Sequence, residues 1–192
     1  MATTARRGKA KKTMLPPGAW HVLEAIWGES QRVRLVTGLP SLVTDTVHIR
    51  SIHLVGFVSP EQVLLVQNRD GSFTFPGGRL EGNETLDGAL HREVWEEARA
   101  TIAPGYRPVA ATRIEFLNRV PGRVYRVHPS YISWVVGQVD ALADEPCLDP
   151  AEGVIDRLVT SITDAMGRLG PLEQRVLEGA IRLRDDPGTG SV

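Results

Sequence analysis

The sequence contains a single cysteine among its 192 residues, and it has neither a long apolar run nor a large excess of charge of one sign. One cysteine, Cys147, excludes an internal disulfide framework and any zinc site built from several cysteines. No stretch approaches the ~18 consecutive apolar residues that a membrane span requires, so we expect no membrane partner. With 42% hydrophobic and 23% charged residues, the composition predicts a soluble, globular chain. A reducing, cytoplasmic setting is the corresponding expectation for its location.

Lysine is absent after residue 12, although the chain as a whole is nearly neutral, with a net charge of -1. The first twelve residues carry five bases and no acid, so the remainder carries 17 bases against 23 acids. A basic end of this kind is typical of a solvated tail, and we assign residues 1–17 to a flexible tail. We expect no nucleic-acid partner, because no basic surface interleaved with aromatic residues accompanies the tail.

The pattern of apolar residues predicts strands, one acidic helix, more strands and then two helices, which indicates an α+β fold. Apolar residues at helical spacing, Trp20, Leu23 and Trp27, predict a short helix over residues 19–27. Strands are expected over residues 32–36, 42–49, 52–58, 63–67, 73–75, 109–117, 124–127, 131–139 and 154–159, and further helices over 86–98, 161–169 and 171–184. We divide the chain after the tail into an N-terminal extension of unassigned role (18–50), a main domain (51–169) and a C-terminal helix with a short tail (170–192).

Acidic residues gather on one predicted helix between Gly77 and Ala100. At ~100° per residue, Glu93, Glu96 and Glu97 share about a third of the helix circumference, beside the apolar stripe. Three carboxylates so close repel one another unless a cation neutralises them, and their oxygens suit Mg²⁺ or Mn²⁺ better than zinc. An acidic face exposed to solvent is the alternative interpretation. The Gly-Gly turn before the helix favours the metal site, because exposed backbone groups there could meet a ligand.

This stretch resembles the signature of the Nudix hydrolases, G-x5-E-x7-R-E-U-x-E-E-x-G-U, in which U is a bulky aliphatic residue. The residues that carry the resemblance are Gly78, Glu84, Arg92, Glu93, Val94, Glu96 and Glu97. They meet seven of the nine specified positions, at the right spacing. Arg99 stands where the signature has glycine, and Ala100 where it has an aliphatic residue. A left-handed helix stop would cost an arginine on the order of 1–2 kcal/mol, so we expect the helix to continue toward Pro104 and Gly105.

The resemblance implies a fold, a reaction and a cofactor. The fold is a mixed β-sheet sandwiched between helices. The reaction is the hydrolysis, by attack of water at phosphorus, of a pyrophosphate bond in a nucleoside diphosphate linked to another group. The substrate is then a nucleotide, a nucleotide sugar or a dinucleotide. The cofactor is a divalent metal, usually Mg²⁺, with Mn²⁺ as the alternative.

The resemblance also implies roles for particular residues. It assigns the metal to Glu93, Glu96, Glu97 and the carbonyl group of Gly77. Arg92 would orient Glu93 through a charge-assisted hydrogen bond, and Gly78 and Glu84 would give structural support.

The group that accepts the proton of the attacking water is left open. Glu93 is one candidate base. An acid from a later loop is the other, and we prefer Glu152 over Asp140, Asp144 and Glu145. A binding or sensor module that holds a nucleotide without turnover is the alternative function, and an RNA-linked role is a third. A homodimer is left open as well.

Overall fold

The structure, a computed structural model, describes residues 15, 17–122, 124–125, 127–145 and 153–185. Three of the sequence-based predictions lie outside the described residues, namely the basic segment of the tail, the short C-terminal tail after residue 185 and the proposed base Glu152. In chain order the described strands are β1 (Ala19–Trp27), β2 (Gln31–Gly38), β3 (Ile49–Ser59), β4 (Gln62–Asn68), β5 (Phe73–Thr74), β6 (Gly77–Arg79), β7 (Ala100–Ile102), β8 (Arg107–Phe116), β9 (Ser130–Leu142) and β10 (Val154–Ser161). The described helices are α1 (Leu86–Ala98), α2 (Ile162–Arg168) and α3 (Pro171–Asp185).

The strands form one mixed sheet in the order β1-β2-β8-β9-β3-β4-β10, with β5 paired to β4, β6 to β3 and β7 to β9. β3 and β9 are parallel and lie at the centre of this order, whereas both of their outer neighbours, β4 and β8, run antiparallel to them. The sheet has a helix layer on each face. Ile52 and Leu54 of β3 pack in one core with α1, while Val55 and Phe57 pack in a second core with α3. Because side chains alternate along a strand, these two cores lie on opposite faces. The predicted α+β fold with a mixed sheet between helices is confirmed.

The helix predicted over residues 19–27 is wrong, because this segment is strand β1. It pairs antiparallel with β2, and Gly28 closes the turn between them at φ 59. A helix would have buried Leu23 in its apolar stripe, yet 45% of that residue is exposed at the edge of the sheet. Apolar spacing therefore indicated the wrong period, since a strand whose two faces both carry apolar residues has no clean alternation.

Two predicted strands do not form. In place of the strand expected over 42–49, the chain forms two short 3₁₀ helices, Pro40–Leu42 and Thr46–His48, before β3 begins at Ile49. The Asp45 carboxylate accepts a hydrogen bond from the Val47 amide and so stabilises a turn instead of an extended chain. Over 124–127, none of the described residues is in a strand, since nothing in the sheet pairs with them.

All three helices after residue 80 are confirmed. α1 has the predicted bounds, and α2 and α3 match theirs to within a residue or two. The Ser161 side chain accepts a hydrogen bond from the Asp164 amide, the cap expected at the start of α2. None of the described helices has the length and the apolar character needed to cross a membrane.

Candidate functional site

Helix α1 carries the acidic cluster because its sequence fixes both its start and its orientation. Thr85 caps the first turn by accepting a hydrogen bond from the Gly88 amide at 3.0 Å. The apolar stripe that includes Leu90 and Val94 is fully buried against the sheet. Glu93 and Glu97 lie beside that stripe and are consequently buried, with only 3% and 7% of each residue exposed. The predicted position of the carboxylates at the edge of the apolar stripe is therefore what the fold produces.

Arg92 binds three carboxylates at once. Its Nε donates to Glu84 Oε1 at 3.0 Å, and its Nη2 donates to Glu84 Oε2 at 3.1 Å. Its Nη1 donates to Glu96 Oε2 at 2.8 Å, and its Nη2 reaches Glu93 Oε1 at 3.1 Å. Nη2 also donates to the backbone carbonyl of Arg79 at 2.9 Å. The guanidinium thus holds two predicted metal ligands and the predicted support residue in fixed positions.

These contacts set the charge state of the cluster. The hydrogen bond from Arg92 lowers the pKa of the Glu84 carboxyl below its ordinary value, despite opposing desolvation. The hydrogen bond to Glu84, with further contributions from Glu96 and Glu93, raises the pKa of the Arg92 guanidinium well above its ordinary value. At neutral pH, Glu84 is therefore ionised and Arg92 is charged, so their pairing is an ion pair reinforced by hydrogen bonds.

The turn before α1 meets the cluster through its backbone. The Gly77 amide donates to Glu97 Oε2 at 2.8 Å, in a buried position. Gly77 has φ 143, a conformation that side chains rarely adopt. A Cβ on Gly78 would lie 2.5 Å from the Glu93 carboxyl carbon, so only glycine leaves room for that carboxylate. The two glycines thus allow β6 to approach α1 closely enough to contact both buried glutamates.

The expected continuation of the helix toward residue 105 is wrong. α1 ends at Ala98, and Arg99 adopts the left-handed conformation, with φ 47 and ψ 43. Its amide caps the helix by donating to the carbonyls of Trp95 and Val94, the geometry that a glycine stop would give. The Arg99 carbonyl in turn accepts from the Ala143 amide at 2.9 Å, because the chain pairs at once with β9 as strand β7.

The predicted ligands lie together on two turns of α1, but each carboxylate already has a partner in the protein. Glu93 and Glu96 bind Arg92, and Glu97 binds the Gly77 amide. Within the described parts of the chain, no three His, Cys, Asp or Glu side chains converge as a metal cage. The donor set nevertheless fits a hard divalent cation, because it consists of carboxylate oxygens around a turn that Gly78 keeps free of side chains.

Sequence reasoning missed two residues next to this cluster. His53 pairs in register with Gly77, and its ring stacks on Trp134 at a centroid distance of 4.9 Å. Its Nε2 and the Ser51 hydroxyl are 2.9 Å apart, and burial lowers the pKa of His53 to about 4, so the ring is neutral at pH 7. Arg79, the residue after the two glycines, accepts the bond from Arg92 with its backbone and extends an exposed side chain. The position of His53 beside the cluster depends on strand pairing and so could not be predicted from the sequence. Arg79, in contrast, is visible in the sequence as a cation next to the motif.

Comparison with protein families matches the NUDIX domain to residues 47–169, more than half of the chain. A sequence search of curated proteins finds no match. Among solved structures, a mutant of a Bacillus subtilis pyrophosphohydrolase aligns over 88% of this chain and 99% of its own, with a TM-score of 0.57 and 14% identity. A Nudix hydrolase from Nitrosomonas europaea aligns over 68% and 87%, with a TM-score of 0.50 and 20% identity. At such low identities, these two structures show a shared fold.

Proposed function

This chain belongs to the Nudix family, and from that membership we propose that it is a metal-dependent pyrophosphohydrolase. Water attacks phosphorus and breaks a pyrophosphate bond in a nucleoside diphosphate linked to another group. A nucleotide-type small molecule is accordingly the partner. One observation carries the proposal: Glu93, Glu96 and Glu97 lie on adjacent turns of α1, against the Gly77-Gly78 turn. A cytoplasmic location and a homodimer stay predictions.

The residues proposed to hold Mg²⁺ or Mn²⁺ are Glu93, Glu96, Glu97 and the Gly77 carbonyl. When bound, the cation would neutralise pyrophosphate charge and activate the attacking water. The chain's own contribution is to hold these oxygens in place beforehand. Arg92 fixes the carboxylates of Glu93 and Glu96, and the Gly77 amide fixes that of Glu97.

A carboxylate of the chain must accept the proton of the attacking water. Glu93 is one candidate, and its buried carboxylate accepts a hydrogen bond from Arg92 Nη2 at 3.1 Å. Glu152, outside the described residues, stays the preferred candidate from a later loop. A variant of each residue, Glu93→Gln and Glu152→Gln, separates them: the base is the residue whose loss removes the acidic limb of the pH–rate profile, where the rate falls as a base becomes protonated.

The alternative function, a binding module without turnover, rests on the N-terminal extension and on Arg99 and Ala100, the two departures from the family signature. Arg99 adopts the conformation of the glycine that it replaces, and Ala100 is buried in the core with α1. Neither departure therefore replaces a residue of the acidic cluster, which favours the enzyme over the binding module.

Glu97→Gln tests the proposal directly. The full chain is assayed against nucleoside diphosphate sugars, dinucleotides and nucleoside triphosphates with Mg²⁺ or Mn²⁺. We expect phosphate-containing products from the parent. In the variant, we expect turnover to fall by about 100-fold or more. The glutamine oxygen can still accept the Gly77 amide, so the fold should persist, which circular dichroism checks.

Glu81→Gln is the matched control. Glu81 lies in the loop before α1, its backbone bonds to Glu84, and its side chain is exposed. We expect its turnover to equal that of the parent. No cleavage of any substrate by the parent, or full turnover in Glu97→Gln, would contradict the proposed function.

A further inference from the structure

The turn between β1 and β2 reaches the strand that follows the glycine pair. A cavity of about 460 Å³ lies between them, lined by Ile26, Trp27, Gly28 and Arg79. The first three residues belong to the N-terminal extension, outside the NUDIX match of 47–169. Arg79 belongs to β6 and directly follows Gly78. The extension therefore contributes one wall of a cavity whose other wall, Arg79, adjoins the acidic site.

The strand register puts Trp27 and Arg79 on the same face of the sheet. The pairs run from His21 through Thr37, Thr112, Ile132 and Ser51 to Arg79. Paired residues point to the same side of a sheet, and Trp27 follows His21 in β1 at an even spacing. Both residues line the cavity, although β1 is the outermost strand of the order.

The cavity is linked to the carboxylates by a short path. The Arg79 carbonyl accepts a hydrogen bond from Arg92 Nη2 at 2.9 Å, and the same nitrogen donates to Glu93. The Arg79 side chain itself is exposed, and among the described residues it has no hydrogen bond or ion pair. A guanidinium in this position is available to an anionic group that lies between the cavity and the acidic helix.

The turn that carries Trp27 is held in place by hydrogen bonds to the loop after β8. The buried Gln31 side chain donates to the Asn118 carbonyl and to Asn118 Oδ1, at 3.1 Å each, and hydrogen-bonds the Tyr125 hydroxyl. Asn118 Nδ2 in turn donates to the Ser30 carbonyl at 3.0 Å. These bonds connect the turn to the loop after β8. The backbone that carries Trp27 is therefore fixed before a ligand binds, which lowers the entropic cost of binding.

We propose that Trp27 is the stacking surface for the nucleobase of the substrate and that Arg79 contacts its phosphate. This assignment rests on the proposed function, because it takes the acidic site to be where the pyrophosphate binds. An indole flanked by the apolar Ile26 offers a face on which any base can stack, while a guanidinium recognises phosphate oxygens. The N-terminal extension, so far without a role, thereby becomes the part of the chain that selects nucleotides over other diphosphates.

Binding without turnover tests the assignment. The four common nucleoside 5′-monophosphates and ribose 5-phosphate, which lacks a base, are titrated calorimetrically into the full chain without metal. Trp27→Leu, which keeps an apolar side chain but removes the ring, should weaken mononucleotide binding about 5- to 100-fold. It should change ribose 5-phosphate binding by less than about 2-fold. Trp27→Phe should restore most of the mononucleotide affinity.

Two further variants separate the contributions. Arg79→Gln should weaken the binding of mononucleotides and of ribose 5-phosphate alike, because both carry the phosphate. Val22→Ala, in the same strand but on the opposite face, should leave both affinities unchanged. Equal mononucleotide affinity in Trp27→Leu and the parent would overturn the assignment. The assignment would also be overturned if Trp27→Leu weakened the binding of ribose 5-phosphate as much as that of mononucleotides. A parent that binds no mononucleotide would overturn it as well.

The outcomes also distinguish this assignment from the proposed reaction. A parent that binds mononucleotides through Trp27 but cleaves no pyrophosphate would refute the hydrolase and leave the base site in place. A parent that cleaves nucleotide substrates with equal KM in Trp27→Leu would refute the base site and leave the hydrolase in place.

Discussion

Arg99 has a backbone conformation that residues other than glycine, asparagine and aspartate rarely adopt. The left-handed conformation costs a side chain roughly 1–2 kcal/mol. Part of that cost is offset where the guanidinium carbon lies 5.6 Å from the centre of the Trp95 ring, since an exposed cation–π contact contributes ~0.5–1 kcal/mol. Arg157 also donates to the carbonyls of Ala98 and Arg99, at 2.9 and 3.2 Å, and so satisfies the end of the helix. An arginine can thus end α1 where the family signature has glycine.

Substitutions at position 99 should be ranked by their tolerance of a positive φ. Arg99→Gly should keep the free energy of unfolding within about 1 kcal/mol of the parent, because relief of strain offsets the lost cation–π contact. Arg99→Val should lower it by about 1–2 kcal/mol, because a β-branched side chain is strained there. Urea unfolding measures both. A glycine variant less stable than the valine variant would indicate a regular helix at this position instead.

Residues of the site were predictable to the extent that their neighbours lie close in sequence. Glu93, Glu96 and Glu97 could be placed on one face of a helix because helix geometry fixes that arrangement over neighbouring turns. The conformation of Arg99 was not predictable, since it depends on the pairing of β7 with β9 far along the chain. Glu152 stays a prediction.

Strand β6 and helix α1 act together as one element of the site. Gly77 and Gly78 both allow close approach, but to different kinds of atom. A Cβ on Gly77 would lie 2.5 Å from the His53 Cα and would overlap the Ile52 carbonyl, both of which are backbone. A Cβ on Gly78 would meet the end of the Glu93 side chain. The fold therefore requires glycine at position 77, whereas the position of the Glu93 carboxylate requires glycine at position 78.

Alanine substitutions should separate these two requirements. Gly78→Ala should lower turnover about 10- to 100-fold with little loss of stability, because the Glu93 carboxylate moves while the backbone stays. Gly77→Ala should lower the free energy of unfolding by about 2 kcal/mol or more, since φ is strained and the backbone blocks the Cβ. Kinetic assays and thermal unfolding measure the two effects.

Gly167→Ala is the control for this pair. Gly167 lies in α2, and a Cβ added there would have no neighbouring atom within 4 Å among the described residues, so alanine should raise stability by up to ~1 kcal/mol. If Gly78→Ala proves as unstable as Gly77→Ala, the Glu93 side chain does not move aside for the added Cβ, and the prediction for Gly78 is wrong.

At the level of elements, the helices were easier to predict than the strands. The bounds of α1 follow from a local cap and a local apolar stripe. Strand β1 was predicted as a helix, because residues 19–27 have apolar side chains on both faces and only the pairing with β2 decides their conformation. The strand predicted over 124–127 is wrong for a related reason: a local apolar pattern can suggest a strand, but it does not supply a neighbouring strand to pair with.

The N-terminal extension is joined to the sheet of the NUDIX match through a buried chain of hydrogen bonds. Trp134 Nε1 of β9 donates to Thr112 Oγ1 of β8 at 2.9 Å. The Thr112 and Thr37 hydroxyls are 2.8 Å apart, and Thr37 belongs to β2 of the extension. Both threonines are fully buried. Since the Thr112 oxygen accepts from the indole, its own hydrogen is free to be donated to Thr37.

Valine substitutions should show that the molecule unfolds as one unit. Thr112→Val should lower the free energy of unfolding by about 2–3 kcal/mol, because it leaves the buried indole N–H without an acceptor. Thr37→Val should cost about 1 kcal/mol, since Thr112 still accepts from Trp134. Both variants should unfold in a single transition by far-UV circular dichroism and tryptophan fluorescence. Separate transitions for the two probes would mean that the extension unfolds independently.

For the whole molecule, the sequence predicted the class of fold but not the order of the strands. Strand order depends on contacts between distant segments, which composition and periodicity do not encode. The place of the extension beside β8, and with it the meeting of Trp27 and Arg79, could be seen only in three dimensions.

The parallel pair at the centre of the sheet has a consequence for how this chain folds. β3 and β9 pair in register although they are about 80 residues apart in sequence, so closing that loop costs entropy before any contact repays it. The hairpin of β3 and β4 and helix α1 can form early, because their contacts are local. The sheet connects the extension to β3 only through β8 and β9, so the extension reaches β6 only after β9 has docked. The cavity that Trp27 and Arg79 line is consequently a late product of folding, whereas the acidic helix is an early one.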